Sequence, residues 1–293
     1  MSEVTIVDVF AVEKGGGNPT PIILDASGFD EARMLAVTRH YGLESTFVSP
    51  PTRSGEADYR FRFFVPRQEM NMCGHATVGT LWLLSRLGRL TGSRARVETG
   101  SGLIDGFVQE AGTPGEYVEI TQPAGRFEEI TGRDSRHAIL EVLGIREADL
   151  SPLPIGNAVT SRMKTLVPLK SPETLDSLRP DFSRMESLCA SLECTGLYPF
   201  AVRSLADRIC DARQFPRASG FPEDAATGVA ATALAFGLLA CGVIPLDGRR
   251  LTVRQGRAMG RPSEIFVRFA LQEGGSQPSG CFLGGRAVLA SGQ

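Results

Sequence analysis

The chain lacks a charge imbalance, a close cysteine pair and a leader-like start. Lys plus Arg number 31 and Asp plus Glu 33, for a net charge of −2. That balance gives no general attraction to nucleic acid or to an anionic membrane surface, so neither is expected as a partner. Six cysteines stand at 73, 189, 194, 210, 241 and 281. None forms a CxxC pair, and Cys189 and Cys194 are too far apart for the usual zinc knuckle. The opening Met-Ser-Glu-Val-Thr-Ile-Val-Asp has no basic stretch ahead of an apolar core. A cytoplasmic protein is therefore expected, with reduced thiols that serve mostly as small buried apolar groups. Low-complexity tracts are missing as well. What remains is a globular composition, 42% apolar and 22% charged, over 293 residues, enough for two ordinary domains with a sizeable core.

Charge is absent from two stretches in particular. From Met70 to Ser85 there is no Lys, Arg, Asp or Glu, and the same holds from Ala225 to Leu246. A helix with no polar face has to be buried all round. The second run is long enough to raise a membrane span, but it is rich in Ala, Gly and Thr and has no Trp or Tyr at its ends. Small residues suit a helix gripped closely by strands. Central helices are therefore expected over Ala76–Arg86 and Thr227–Cys241, with Gly88 and Gly242 as left-handed stops. Each run opens on small residues, so its first backbone N–H groups, unpaired and at the positive end of the dipole, form a ready anion site. The two runs sit about half a chain apart, which implies an internal duplication.

The flanking stretches read mainly as strands. Thr5 to Phe10, Pro21 to Leu24, Tyr59 to Val65 and Gly102 to Gln109 are among those of the first half. Thr165 to Val167, Tyr198 to Val202, Leu251 to Arg254 and Gly285 to Leu289 are among those of the second. Asp30 to His40 has helical spacing, and Leu175 to Leu192 reads as a helix broken at Pro180. Strands thus precede and follow one central helix in each half.

Three side chains stand out chemically. Glu44, between Leu43 and Phe47, reads either as an exposed or capping residue or as a proton carrier, since apolar neighbours raise a carboxyl pKa. His75 is the one histidine in an apolar run, either a satisfied core residue or a polar group beside the anion site. Asp224 opens the second run and reads as an N-cap, a catalytic partner, or both. Cys73 raises the two-thiol chemistry of cofactor-independent racemases, but the matching place in the second run holds Ala225. A metal on Cys73 and His75 lacks the further ligands such a site needs.

These pieces together resemble the PhzF-like family of phenazine biosynthesis, relatives of the diaminopimelate epimerase fold. The resemblance rests on Val7-Asp8-Val9-Phe10 with Gly17-Asn18-Pro19, Gly42-Leu43-Glu44-Ser45-Thr46-Phe47, and Cys73-Gly74-His75-Ala76-Thr77. It continues in Glu223-Asp224-Ala225-Ala226-Thr227-Gly228, Gln255-Gly256, Gly260-Arg261-Pro262-Ser263 and Gly284-Gly285. The segments come in family order across nearly the whole chain. The resemblance implies an α/β fold of two pseudo-equivalent domains, 1–123 and 124–293, each a barrel-like sheet around a buried helix, with the last strand packing back on the first domain. It also implies an active site in a cleft at both helix starts, a homodimer, and no metal or organic cofactor.

By position, Glu44 would shuttle a proton while His75 and Asp224 orient a small carboxylate substrate. Gly74, Ala76 and Thr77, with Thr227, Gly228 and Val229, would bind that substrate. Two departures stand out: Ala225 replaces a common Pro, and Val229 replaces a common Ser, which removes one donor and makes that wall apolar. The expected activity is a cofactor-independent isomerisation by proton transfer. An amino- or hydroxy-acid epimerase and a non-catalytic small-molecule binding protein are the alternatives.

Overall fold

A computed structural model describes residues 3–272, 274–275 and 277–290. The chain divides into two compact units, Met1–Thr121 with Gly284–Gln293, and Gln122–Leu283. Residues 284–293 group with the first unit.

The first unit contains β1 (Val4–Val9), β2 (Asn18–Ile23), α1 (Glu31–Tyr41), β3 (Ser45–Ser49), β4 (Tyr59–Val65) and β5 (Gln68–Met70). After these come α2 (Gly74–Arg86), β6 (Arg94–Thr99), β7 (Gly102–Gln109) and β8 (Tyr117–Pro123). Strands β1 and β2 form an antiparallel hairpin, and α1 carries the chain over to β3, which lies parallel to β2. Asp30 caps α1, its carboxylate accepting the Arg33 N–H, and Gly42 ends the helix in the left-handed region. Met34 of α1 packs on Ile23, Phe47 and Phe64, on one side of the sheet.

Helix α2 lies against β1, β2, β3 and β7, and every residue from Gly74 to Leu84 is buried. The packing is tight enough that a Cβ at Gly79 would come within 2.5 Å of Val9 Cγ2. Gly88 ends the helix at φ 65°, where the Arg89 N–H bonds back to the Leu84 carbonyl.

The second unit begins with β9 (Arg126–Glu129), α3 (Arg133–Leu143), β10 (Gly156–Val159), β11 (Met163–Leu169), α4 (Pro172–Ser177) and α5 (Phe182–Ser191). It continues with β12 (Gly196–Ser204), β13 (Ile209–Ala212), β14 (Phe215–Pro216), α6 (Gly228–Ala240), β15 (Leu251–Gln255), β16 (Ser263–Ala270) and β17 (Gly280–Gly285). The helical stretch expected over 175–192 with a break at Pro180 is two helices, and Asp181 caps the second.

Helix α6 packs on β9, β10, β11 and β16. Ala230 to Leu238 are all buried, and a Cβ at Gly237 would come within 2.5 Å of Leu166 Cδ1. A separate core, with Ile139 and Leu143 of α3, Leu188 of α5, and Val167 and Leu197 of the sheet, lies away from α6. Gly242 stops α6 at φ 68°, and the Val243 N–H returns to the Leu238 carbonyl.

The closing strand β18 (Ala287–Leu289) belongs to the first unit because β1 has a free edge for it. Val7 pairs with Leu289 and Val9 with Ala287, both antiparallel. Among the described residues no helix is long and apolar enough to cross a membrane.

Candidate active site

In the first unit, Glu44 follows the left-handed Gly42 and precedes β3, so it sits where a helix has stopped and a strand begins. Thr20 Oγ1 donates to the Glu44 backbone carbonyl at 2.7 Å and fixes that corner. Its carboxylate reaches the start of α2, where the Cys73 thiol donates to Oε2 at 2.9 Å. His75 Nδ1 lies 3.3 Å from Cys73 Sγ and 3.6 Å from Glu44 Oε2. The imidazole is 7% exposed, while the Glu44 side chain is 28% exposed and so reachable by a ligand.

The other ring nitrogen, His75 Nε2, is buried without a hydrogen-bond partner among the described residues. A buried imidazole nitrogen in that state is a ready donor or acceptor for an incoming polar group. The cluster joins three groups able to hold or pass a proton. Their potential ligand atoms lie within 4.8 Å of one another, close enough in principle to hold a metal as well.

The backbone at this helix start is only partly available. Gly74, His75 and Ala76 precede the first intrahelical bond, so their N–H groups have no helical acceptor. Thr77 differs from its expected role. Its N–H already bonds the Cys73 carbonyl at 3.0 Å, and its hydroxyl donates to the same oxygen at 2.7 Å. As the fourth residue after the cap it is the first to join the helical ladder.

In the second unit, Asp224 is not the N-cap. The cap of α6 is Thr227, whose side chain makes no capping bond. Asp224 lies upstream in an isolated bridge, its N–H donating to the Gln214 carbonyl at 3.0 Å. The Thr227 hydroxyl donates to Asp224 Oδ2. Gln255 ties this corner together: its Nε2 donates to the Asp224 carbonyl at 2.7 Å, and its Oε1 accepts the Thr227 N–H at 3.3 Å. Thr227 therefore offers no free N–H, contrary to expectation, because a side-chain amide has taken it. Gly228 and Val229 remain at the first turn of α6.

Gly256 follows Gln255 at φ 78°, and a Cβ there would press on the Ala225 carbonyl at 2.8 Å. Only glycine lets these two segments approach so closely. Just upstream, Glu223 is clamped by the buried Arg213 through bonds of 2.8 and 2.7 Å.

By cap position the counterpart of Cys73 is Thr227, two residues beyond the expected Ala225. Neither residue is a thiol.

Sequence reasoning missed two polar groups on the α6 side of the second unit. Tyr198 is fully buried and donates to Gln255 Oε1 at 3.0 Å. Burial, with nearby Cys210 and then Asp224 adding to it, pushes its phenol well above the ordinary value. Lys164 is 5% exposed, and burial pushes its amine down to about 8 against the pull of Asp224. The one signal was a lysine ahead of an apolar strand, and the strand starts earlier than the apolar run suggests.

In each unit strands clasp a buried helix whose start meets a carboxylate, which defines the class as an α/β fold of two helix-clasping units. The chain belongs to the PhzC-PhzF family, described as phenazine biosynthesis-like protein, whose sequence pattern matches residues 7–292. It is 32% identical to the uncharacterized isomerase YddE of Escherichia coli K12, covering 97% of this chain and 94% of that protein. It is 31% identical to the trans-2,3-dihydro-3-hydroxyanthranilate isomerase of Pseudomonas fluorescens, over 92% of this chain and 90% of that enzyme. The crystal structure of a PhzF-family phenazine biosynthesis protein from Bacillus anthracis superposes with a TM-score of 0.87 at 26% identity, covering 98% of this chain and 96% of that one. A probable proline racemase from Agrobacterium radiobacter K84 shares the fold alone, with a TM-score of 0.61 at 13% identity, over 98% of this chain and 90% of that one.

Proposed function

We propose that this protein is a cofactor-independent isomerase that moves a proton on a small carboxylic acid, with Glu44 as the acid and base. The observation that carries the reading is the contact of Glu44 Oε2 with Cys73 Sγ at 2.9 Å and its approach to His75 Nδ1 at 3.6 Å, at a helix start. In the proposed step the Glu44 carboxylate takes a proton from a substrate carbon. The electron pair of the broken C–H bond moves into the conjugated acid. Glu44 then returns the proton to another carbon, so nothing is consumed. Developing negative charge on the substrate carboxyl is stabilised by the N–H groups of Gly74, His75 and Ala76 and by the α2 dipole. His75 Nε2 supplies a further polar contact, and Asp224 orients the substrate, with Gly228 and Val229 lining that helix start.

The same reading includes a homodimer working in the cytoplasm. The substrate of the Pseudomonas relative is one candidate. Val229, without a hydroxyl, favours a substrate that places an apolar group at the first turn of α6.

The decisive experiment is solvent-deuterium incorporation into a panel of small carboxylic acids. Glu44→Gln should keep the fold and ligand binding and lose about 10² to 10⁴ in exchange rate. Exchange at the normal rate in that variant sinks the mechanism. A second reading, an epimerase with Cys73 as its base, draws support from the thiol's direct contact with Glu44 and from the racemase-like fold. The Cys73→Ser variant separates the two.

A further inference from the structure

The groups around Asp224 make its Oδ2 oxygen a hydrogen-bond acceptor. The chain begins at Tyr198, whose buried hydroxyl donates to Gln255 Oε1. Because that oxygen accepts, Gln255 Nε2 must donate, and it reaches the Asp224 carbonyl at 2.7 Å and Thr227 Oγ1 at 3.4 Å. With its lone pairs receiving from Gln255, the Thr227 hydroxyl gives its proton to Asp224 Oδ2. The polarity runs one way and ends on a carboxylate oxygen that accepts.

Lys164 adds a cation to the same side of the sheet. Side chains alternate along a strand. Leu166 of β11 faces Gly237 of α6, so Lys164, two residues earlier, projects from the α6 face as well. Thr165 between them turns the other way, its hydroxyl on Asn157 Oδ1 at 2.7 Å. The β10–β11 connection meets the N-terminal half of α6, since Thr160 Oγ1 and Thr232 Oγ1 are 2.9 Å apart. Lys164 is 5% exposed. Its charged and titratable neighbours are Asp224, which favours the ammonium, Arg162, which opposes it, and the thiols of Cys194 and Cys189. Burying an amine is costly, and the nearby Asp224 charge offsets part of that cost.

We propose that Lys164, together with the Tyr198–Gln255–Thr227 chain, is a positioning group that holds Asp224 as an ionised, acceptor-only carboxylate. The inference rests on the isomerase reading for the importance of Asp224, but its test needs no substrate. Below about pH 8 the ammonium is charged and favours the Asp224 anion; above it that support fades.

The test is an NMR titration of the unliganded protein, following the Asp224 carboxyl carbon and the Lys164 side-chain nitrogen. In the unmodified chain the amine should titrate near 8. A small step should appear in the Asp224 signal at the same pH. Lys164→Met should make Asp224 a weaker acid by about tenfold, the effect of losing one nearby opposite charge. Lys164→Arg should restore most of that shift, and Tyr198→Phe should produce a smaller change in the same direction. An unmoved Asp224 titration in a folded Lys164→Met variant overturns the proposal. So does a Lys164 amine that titrates at the ordinary lysine value with no Asp224 step, a result available even if the variant fails to fold. Failure here leaves the Glu44 exchange result untouched, so the two readings fall separately.

Discussion

The starts of α2 and α6 solve one problem in two ways. At each, the cap residue donates from its side chain to a carboxylate: Cys73 to Glu44 in the first unit, Thr227 to Asp224 in the second. The carboxylates differ in origin. Glu44 comes from a segment 29 residues away, and Asp224 lies only three residues upstream of its donor. They differ also in restraint. Asp224 is pinned through both its own N–H and its carbonyl, and an ion pair clamps the residue before it. The side chain of Glu44 is held by a thiol, a weak donor, next to an imidazole. A carboxylate held loosely among groups that share protons suits proton transfer. One fixed by strong local bonds suits orientation.

The largest effect should separate the two carboxylates directly. Glu44→Gln is expected to remove about 10² to 10⁴ of deuterium exchange. Asp224→Asn should act chiefly through misplaced substrate, costing on the order of 10²-fold. Rate constants and KM for both variants on one substrate check the order, and equal losses of exchange would erase the distinction.

Next in size is Arg213→Met. Its guanidinium also donates to the Leu175 and Leu178 carbonyls, and its removal leaves Glu223 charged and unpaired in a site only 11% exposed. Breaking a buried pair from one side costs about 3–5 kcal/mol. Denaturant unfolding should report a loss of that size, and less than about 1 kcal/mol would mean that Glu223 can reach water.

Gly79→Ala probes the opposite helix. The new methyl meets Val9 Cγ2 at 2.5 Å, and Val is stiff at χ1, so overpacking should cost about 1–3 kcal/mol. A thermal midpoint equal to that of the unmodified protein would show α2 to be less tightly gripped than its burial indicates.

Smallest of all should be Cys73→Ser. The hydroxyl can still donate to Glu44, so activity should stay within a few fold of the unmodified protein, about 1 kcal/mol or less. A thousandfold loss, about 4 kcal/mol, would make the thiol the base and invert the comparison.

Much of this was legible before any coordinates. The two uncharged runs could only be buried helices, and Gly88 and Gly242 do stop them in the left-handed region. The ordered motifs pointed to the family whose pattern spans the chain. The readings that changed all involve hydrogen bonds to residues distant in sequence or the count from the cap. Asp224 looked like an N-cap because acids are common there, but Thr227 occupies that position. Thr227 looked like a free donor because nothing nearby could accept from it; the acceptor, Gln255, is 28 residues on. The closing strand joins the first unit because the edge it completes is that of β1.

The amino-acid sequence by itself determined which segments are buried, where their helices stop and which backbone N–H groups begin them. These depend on residues within a turn or two of one another. The tertiary structure alone decided that Glu44 meets Cys73 and His75, that Asp224 is held by Gln255, and that Lys164 shares a face with α6. Side-chain contacts across such gaps depend on strand register and on which face of a sheet each residue occupies. A shift of one residue reverses that face, so the pattern of apolar residues can place a strand without saying what its polar side chains will touch.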